Sequence, residues 1–173
     1  MEKISIIKVS EKLFIHPGFR DKGCYSSGCR DACCRRGCDV DRESYDMIME
    51  HRENIEGLLG RSIDRCFDRE WSGQEDFLGH NSIASTIING TCPFHTPSGK
   101  GCVLWQMVFR NNVPLRIVPS TCRLYPVTWN KGVLDIVDCI EKECSCLDPF
   151  NSVTLWDSQK DAINDIFQLN IEP

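Results

Sequence analysis

Residues 22–39 read KGCYSSGCRDACCRRGCD, and this stretch decides how the rest of the chain is interpreted. Almost every apolar side chain in it is a cysteine, and Gly23, Gly28 and Gly37 interrupt it. A segment of this kind cannot build a hydrophobic core by itself. We therefore predict a loop that some other group must organise.

The chain contains twelve cysteines, and all except Cys66 fall into two sets. Thiolates that lie close in sequence can converge on one metal centre, and glycines let such a loop turn them inward. Disulfides instead need one partner for each cysteine, and the neighbours Cys33 and Cys34 suit two independent bridges poorly. We predict metal ligands at Cys24, Cys29, Cys33, Cys34 and Cys38 in the first set and at Cys92, Cys102, Cys122, Cys139, Cys144 and Cys146 in the second.

The N-terminal residues indicate the compartment. The apolar stretch within residues 1–9 is short and interrupted by charge, and no small-residue cleavage site follows it. No other apolar run approaches the length that crosses a bilayer. We therefore predict a cytoplasmic protein without a membrane partner, whose thiols stay reduced. A secreted protein with six disulfides is the alternative, which the even number of cysteines permits.

The charge balance of the chain indicates which classes of binding partner to expect. The net charge is −5, from 20 Lys and Arg against 25 Asp and Glu. Such a chain has no general basic field, so we expect no nucleic-acid partner. Phosphate-binding glycine loops, serine-hydrolase elbows and zinc-protease motifs are absent from the sequence. Whether the protein is an enzyme stays open, and the sequence identifies neither a redox partner nor a protein partner.

Cysteine spacing narrows the choice of metal. Zinc fingers and ribbons normally contain Cys-x₂-Cys knuckles, and this chain has none. The usual ferredoxin run is missing as well. The clustered thiols nevertheless exceed what one four-coordinate ion can use, which favours a polynuclear centre. We predict an iron–sulfur cluster of the 4Fe-4S type with a redox or electron-transfer role. The alternative is zinc in a structural adaptor or interaction module without catalysis.

Four motifs carry a family resemblance. They are Cys24-x₄-Cys29-x₃-Cys33-Cys34, Cys92-Pro93-Phe94, Gly101-Cys102, and the run from Pro119 to Pro126, PSTCRLYP. Their order and separation resemble the YkgJ-like cysteine-cluster family, whose signature includes Pro-x-x-Cys-Arg-x-Tyr/Phe-Pro. The resemblance spans roughly residues 24–146.

The resemblance implies metal binding. The family is described as zinc- or iron-chelating and is often labelled an iron–sulfur oxidoreductase, without a defined biochemical role. This chain departs from the family's usual Cys-x₂-Cys-x₂-Cys-Cys opening by longer gaps between the first cysteines. It also adds Cys144 and Cys146, which have no counterpart in the family pattern.

The remaining pattern predicts one α+β domain over residues 1–173, with a cysteine-cluster core at 22–147. We expect short extended segments in residues 4–15. Short hairpins and two to three helices would surround a cysteine-ligated metal site. The helices are expected at 41–59, 102–110 and 153–169, and the hairpins at 85–94, around Asn89-Gly90, and at 125–137.

Two further residues lie near the cysteine sets. Cys66 stands alone in the sequence, so we interpret it as a small buried apolar residue. His95 follows Cys92-Pro93-Phe94 and has two interpretations. It would either complete a mixed Cys/His site or lie at the surface or behind the ligands, and the second is favoured because isolated histidines are common outside sites.

Overall fold

A computed structural model describes residues 2–20, 30–138 and 144–171. The predicted ligands Cys24, Cys29 and Cys139 lie outside these residues. The chain divides into two compact units. The terminal unit consists of Met1–Ala32 and Arg123–Pro173, and the central unit is Cys33–Cys122. The prediction of one domain over residues 1–173 stays a prediction.

The elements are short and mixed. In chain order they are β1 (Ile4–Ile6), β2 (Lys8–Val9), α1 (Lys12–Ile15), β3 (Asp39–Asp41), α2 (Arg42–Glu50), α3 (Arg52–Leu59), β4 (Ser82–Ala84), α4 (Val103–Asn111), α5 (Ser120–Leu124), β5 (Val127–Asn130), β6 (Val133–Ile136), α6 (Leu155–Ile166) and β7 (Phe167–Leu169), with 3₁₀ turns at Cys33–Arg35 and Leu115–Ile117. The predicted α+β class is confirmed. The described residues form six helices, which is more than the two to three predicted.

Three small sheets are present in the described residues. In the terminal unit, β1 and β7 pair in parallel with Ile4 opposite Phe167, and β2, β6 and β5 form a sheet in that order. In the central unit, β3 and β4 pair antiparallel with Asp39 opposite Ala84. No helix in the described residues is both long and apolar enough to cross a membrane.

The helix predicted at 41–59 is present as α2 and α3, with a break at His51. Hydrogen bonding continues through the break, because the Ile55 amide still reaches the His51 carbonyl at 3.1 Å. The predicted apolar face is therefore kept, and Ile48 and Leu59 are buried on it. Gly60 ends α3 in the left-handed conformation, with φ 68°, as a glycine after a helix is expected to do.

Both ends of the chain differ from the prediction. Residues 12–15 form a helix instead of a strand, and Leu13 on it is buried. At the other end, α6 stops at Ile166 and Phe167–Leu169 continues as a strand. Phe167 is buried and pairs with Ile4, so contact with the distant N-terminal strand overrides the helical periodicity.

The hairpin predicted at 125–137 is confirmed as β5 and β6, joined by Lys131 and Gly132 at positive φ. The hairpin predicted at 85–94 is reduced to its turn. Asn89 and Gly90 both have positive φ, and one bridge between Ile88 and Thr91 closes the turn. The neighbouring strand β4 pairs with β3 instead, and the two form an antiparallel sheet.

The core of the central unit lies between its helices and the β3–β4 pair. It includes Ile48 and Ile55 from α2 and α3, Leu104 and Met107 from α4, and Phe94. Cys92 belongs to this core, and four partly exposed cysteines pack against it: Cys34, Cys38, Cys102 and Cys122. In the terminal unit, Gln159 of α6 donates to the Leu124 carbonyl at 2.9 Å, and Arg123 pairs with Asp165 at 2.6 Å.

Candidate functional site

Six cysteines meet in the central unit. They come from five places in the chain: Cys33 and Cys34, Cys38, Cys92, Cys102 and Cys122. The side chain of Cys38 hydrogen-bonds to those of both Cys92 and Cys122, and Cys34 hydrogen-bonds to Cys33. Cys102 interacts electrostatically with Cys33 and Cys92. We call this set the thiol cluster.

Backbone hydrogen bonds hold three segments of the thiol cluster together. The Cys92 amide donates to the Cys34 carbonyl at 2.5 Å. The Ser85 amide donates to the Cys38 carbonyl at 2.8 Å, and the Cys38 amide returns a bond to the Ser85 hydroxyl at 2.9 Å. These bonds use main-chain groups of Cys34, Cys38 and Cys92. They therefore fix the backbone positions of these three cysteines without a bound metal.

Cys102 is fixed by the start of α4. It occupies the N-cap position with extended backbone, and the following Val103 amide donates to the Phe94 carbonyl at 2.8 Å. Burial and nearby Cys92 raise the pKa of the Cys102 thiol to about 12, although the amides of Leu104 and Trp105 lower it. The first turn of the helix therefore presents hydrogen-bond donors to this sulfur.

Cys122 lies on α5, and hydrogen bonds to β3 hold this helix in place. The Ser120 amide donates to Asp41 Oδ2 at 2.6 Å, and the Thr121 hydroxyl donates to the Asp39 carbonyl at 2.7 Å. Asp41 stands at the N-cap position of α2 but makes no capping bond there, because its carboxylate is fully buried between other donors. These bonds bring the segment of Cys122 beside that of Cys38.

Hydrogen bonds among the thiols shift the pKa values of the two partners in opposite directions. The bond between Cys38 and Cys122 raises the pKa of Cys38 and lowers the pKa of Cys122. The bond between Cys92 and Cys38 raises the pKa of Cys92 and lowers the pKa of Cys38. Burial and the neighbouring cysteines still bring the pKa of Cys122 to about 11.

The cysteines disfavour ionisation of one another. A hydrogen bond to Cys33, burial and the nearby Cys92 and Cys102 all raise the pKa of Cys34. Burial and mutual repulsion therefore favour the protonated thiol over the thiolate at the five cysteines whose pKa is raised: Cys34, Cys38, Cys92, Cys102 and Cys122. A thiophilic cation at this place would reverse that preference, because metal binding replaces the proton of each ligating thiol.

Ser85 supports the thiol cluster without having been predicted from sequence. Its hydroxyl lowers the pKa of both Cys38 and Cys92, because it lies within hydrogen-bonding reach of either sulfur. Gly37 leaves room for this hydroxyl, since a Cβ there would come within 2.8 Å of Ser85 Oγ. Serine is common in loops, so the sequence offers no signal that distinguishes Ser85, whereas Gly37 stands in the first cysteine stretch.

We predict that Gly37→Ala destabilises the central unit more than Gly90→Ala. Both glycines have positive φ, 72° and 77°, so both alanines are strained by about 1 kcal/mol or more. A Cβ at Gly90 meets nothing within 4 Å, whereas one at Gly37 meets Ser85 Oγ. The loss at Gly37 should reach about 1–3 kcal/mol, measured by urea unfolding. Equal losses in the two variants would show that Ser85 is not crowded.

The thiol cluster does not already have the arrangement of a ligand set. Within the described ranges, no group of three or more His, Cys, Asp or Glu side chains could hold a metal ion as placed. The chemistry of the donors nevertheless fits a thiophilic metal, because six soft sulfurs interact with one another in this unit. Binding would require the thiols to exchange their mutual hydrogen bonds for bonds to the metal.

The other residues considered in the sequence analysis are not members of the thiol cluster. Cys144 and Cys146 are buried in the terminal unit, where the Arg20 amide donates to the Cys146 carbonyl at 2.8 Å. Cys66 is fully buried within the central core, as predicted, and burial raises its pKa to about 11. The backbone of His95 forms a bridge with Cys102, so this residue adjoins the thiol cluster, and its predicted role stays a prediction.

Comparisons with known proteins add no relative. No protein-family model, curated protein or solved structure matches the chain. The resemblance to the YkgJ-like family therefore stays a prediction from the quoted motifs. Several cysteines of those motifs lie together in the thiol cluster: Cys33, Cys34, Cys92, Cys102 and Cys122.

Proposed function

We propose that the protein binds metal through the thiol cluster, in the form of an iron–sulfur cluster with a redox or electron-transfer role. One observation carries the proposal: six cysteine side chains from five places in the chain adjoin one another in the central unit. The ligands would be drawn from Cys33, Cys34, Cys38, Cys92, Cys102 and Cys122.

The contrast with Cys66 supports a chemical role for these six residues. A cysteine that serves as a small apolar side chain packs among aliphatic and aromatic residues, as Cys66 does. In the thiol cluster, Cys34, Cys38, Cys102 and Cys122 instead pack at the edge of that core, and Cys38 hydrogen-bonds to both Cys92 and Cys122. Sulfur–sulfur contacts offer no packing advantage over valine or leucine, so core filling does not account for their convergence.

The number of thiols exceeds the four that one structural zinc ion uses and is sufficient for an iron–sulfur cluster. A tetrahedral zinc site is complete with four ligands, and the thiol cluster offers six. A 4Fe-4S cluster also uses four thiolates and supplies one-electron transfer when bound. The two remaining cysteines would lie next to it and influence its potential through hydrogen bonds to the sulfurs. A reducing compartment, as the cytoplasm provides, suits this assignment.

The test is an analysis of metal and acid-labile sulfide, with a visible spectrum, on protein purified without oxygen. We expect a brown protein that contains iron and matching sulfide and that bleaches on reduction. A colourless protein with stoichiometric zinc and no sulfide would overturn the redox role and favour the structural zinc module. Protein that binds neither metal after anaerobic reconstitution would overturn metal binding itself.

A further inference from the structure

Exposed apolar side chains are concentrated in one part of the terminal unit. On α1, Leu13 is buried, whereas the next two residues, Phe14 and Ile15, are 48 % and 78 % exposed. Phe150 and Val153, which precede α6, are 94 % and 45 % exposed. Four large apolar side chains therefore contact water in two short segments of the chain, although each would gain free energy from burial.

Contacts within the terminal unit hold these two segments side by side. The Gly18 amide donates to the Val153 carbonyl at 2.8 Å, and the Asp148 amide donates to the Gly18 carbonyl at 2.9 Å. The rings of Phe14 and Trp156 lie 4.8 Å apart, measured between their centroids. The exposed and partly exposed side chains of both segments are therefore neighbours, and we call them the apolar patch: Phe14, Ile15, Phe150, Val153 and Trp156.

The area of the apolar patch is large for a chain of this size. A phenylalanine buries about 150–250 Å² when it is covered. At their observed exposures, Phe14 and Phe150 alone would bury roughly 200–350 Å² on each copy. The largest patch on a typical monomer measures about 300–600 Å² and is often functional. With Ile15, Val153 and a polar rim, the surface approaches the roughly 800 Å² per partner that stable interfaces bury.

The charged residues beside the apolar patch have both signs. Glu11 and Lys12 precede Phe14, and Asp157 and Lys160 follow Trp156, and all four are exposed. A balanced rim does not attract anionic lipid or nucleic acid, which require an excess of cations. A second copy suits this pattern, because an uncharged centre can face itself and each sign at the rim finds the opposite sign on the other copy.

We propose that the apolar patch is the contact surface of a symmetric homodimer, in which the patch of one copy covers the same patch of the other. The rings of Phe14, Phe150 and Trp156 would form the buried centre of the interface, as aromatic side chains commonly do. None of the patch residues belongs to the thiol cluster, so the dimer requires no bound metal.

The experiment is sedimentation equilibrium of the full chain over a range of protein concentrations. A thiol reductant is present and oxygen is excluded, so that no disulfide joins two chains. We expect a reversible dimer whose fraction rises with concentration. Protein that stays monomeric up to about 100 µM would overturn the proposal, including monomeric protein that sediments with phosphatidylcholine vesicles instead.

Matched variants locate the contact. Ile15→Asp places a charge in the patch at a side chain that is already exposed, so each copy should keep its fold. Dimerisation should weaken by at least about 30-fold, as for a central interface residue. Leu58→Asp is the control, because Leu58 is 41 % exposed on α3 of the central unit, and its dimer should be unchanged. A dimer that persists in Ile15→Asp, or equal weakening in both variants, would overturn the proposal.

Footprinting of the unsubstituted chain decides the matter if Ile15→Asp fails to fold. Hydroxyl radicals label exposed aromatic side chains, and mass spectrometry compares dilute with concentrated protein. We expect Phe14, Phe150 and Trp156 to be labelled several-fold less in the dimer than in the monomer. A dimer in which these three side chains are labelled as strongly as in the monomer uses another surface, which would overturn the proposal.

Discussion

Cys122→Ser should lower metal affinity by at least about 100-fold, because loss of an outer-shell partner alone typically costs about 10- to 100-fold. A serine hydroxyl is a poor ligand for thiophilic metals, and Cys122 contacts Cys38 at the centre of the thiol cluster. The stability that bound metal adds should fall as well, since a ligand stabilises the folded state according to its affinity. Metal content after gel filtration and thermal unfolding with and without metal measure both effects.

The matched control is Cys66→Ala. Cys66 belongs to the same unit and is fully buried, but it packs within the core and not in the thiol cluster. Alanine is preferred to serine at this position because a buried hydroxyl adds a penalty of its own. We expect a modest loss of stability and unchanged metal content. If Cys66→Ala and Cys122→Ser retain the same amount of metal, the assignment of Cys122 as a ligand is wrong.

Asp41→Ala should have the largest effect on stability, a loss of about 3 kcal/mol or more, because it leaves buried donors without an acceptor. The carboxylate is fully buried and accepts from the Leu78 amide at 3.1 Å and the Ser120 amide at 2.6 Å. Each buried donor left without a partner typically costs about 1–3 kcal/mol. Chemical unfolding in urea, monitored by circular dichroism, measures the loss.

Asp46→Ala provides the comparison for this variant. Asp46 lies on the neighbouring helix α2, where its exposed carboxylate pairs with Arg42 at 3.0 Å. Exposed pairs of this type contribute between about 0 and 1 kcal/mol. If Asp41→Ala is no more destabilising than Asp46→Ala, then Asp41 does not hold α5 in place. Asp41→Ala should also weaken metal binding, because α5 carries Cys122.

The sequence predicted those parts of the fold that local signals determine. The β5–β6 hairpin follows from a glycine-containing turn between two apolar runs, and α4 follows from its apolar spacing. The convergence of Cys33, Cys34 and Cys38 with cysteines of the second set was also expected from their clustering. The hairpin and helix predictions needed no knowledge of distant contacts.

Other features depend on contacts between residues far apart in the chain. Phe167–Leu169 forms a strand because Ile4–Ile6 lies beside it, and no local pattern reveals that partner. Asp41 stands at the start of the helix predicted at 41–59, but its carboxylate accepts from the Leu78 and Ser120 amides and makes no capping bond. Ser85 enters the thiol cluster through pairing near β3 and β4, which the sequence did not predict.

The central claim is that the cysteines of the thiol cluster jointly bind metal, and X-ray absorption at the metal edge tests it most directly. We predict a nearest shell made of sulfur alone, at about 2.3 Å from the metal, in protein isolated without oxygen. The same measurement on Cys122→Ser should show less sulfur per metal or no bound metal. A shell dominated by nitrogen or oxygen, or metal binding that leaves the six thiols fully reactive, would contradict the account.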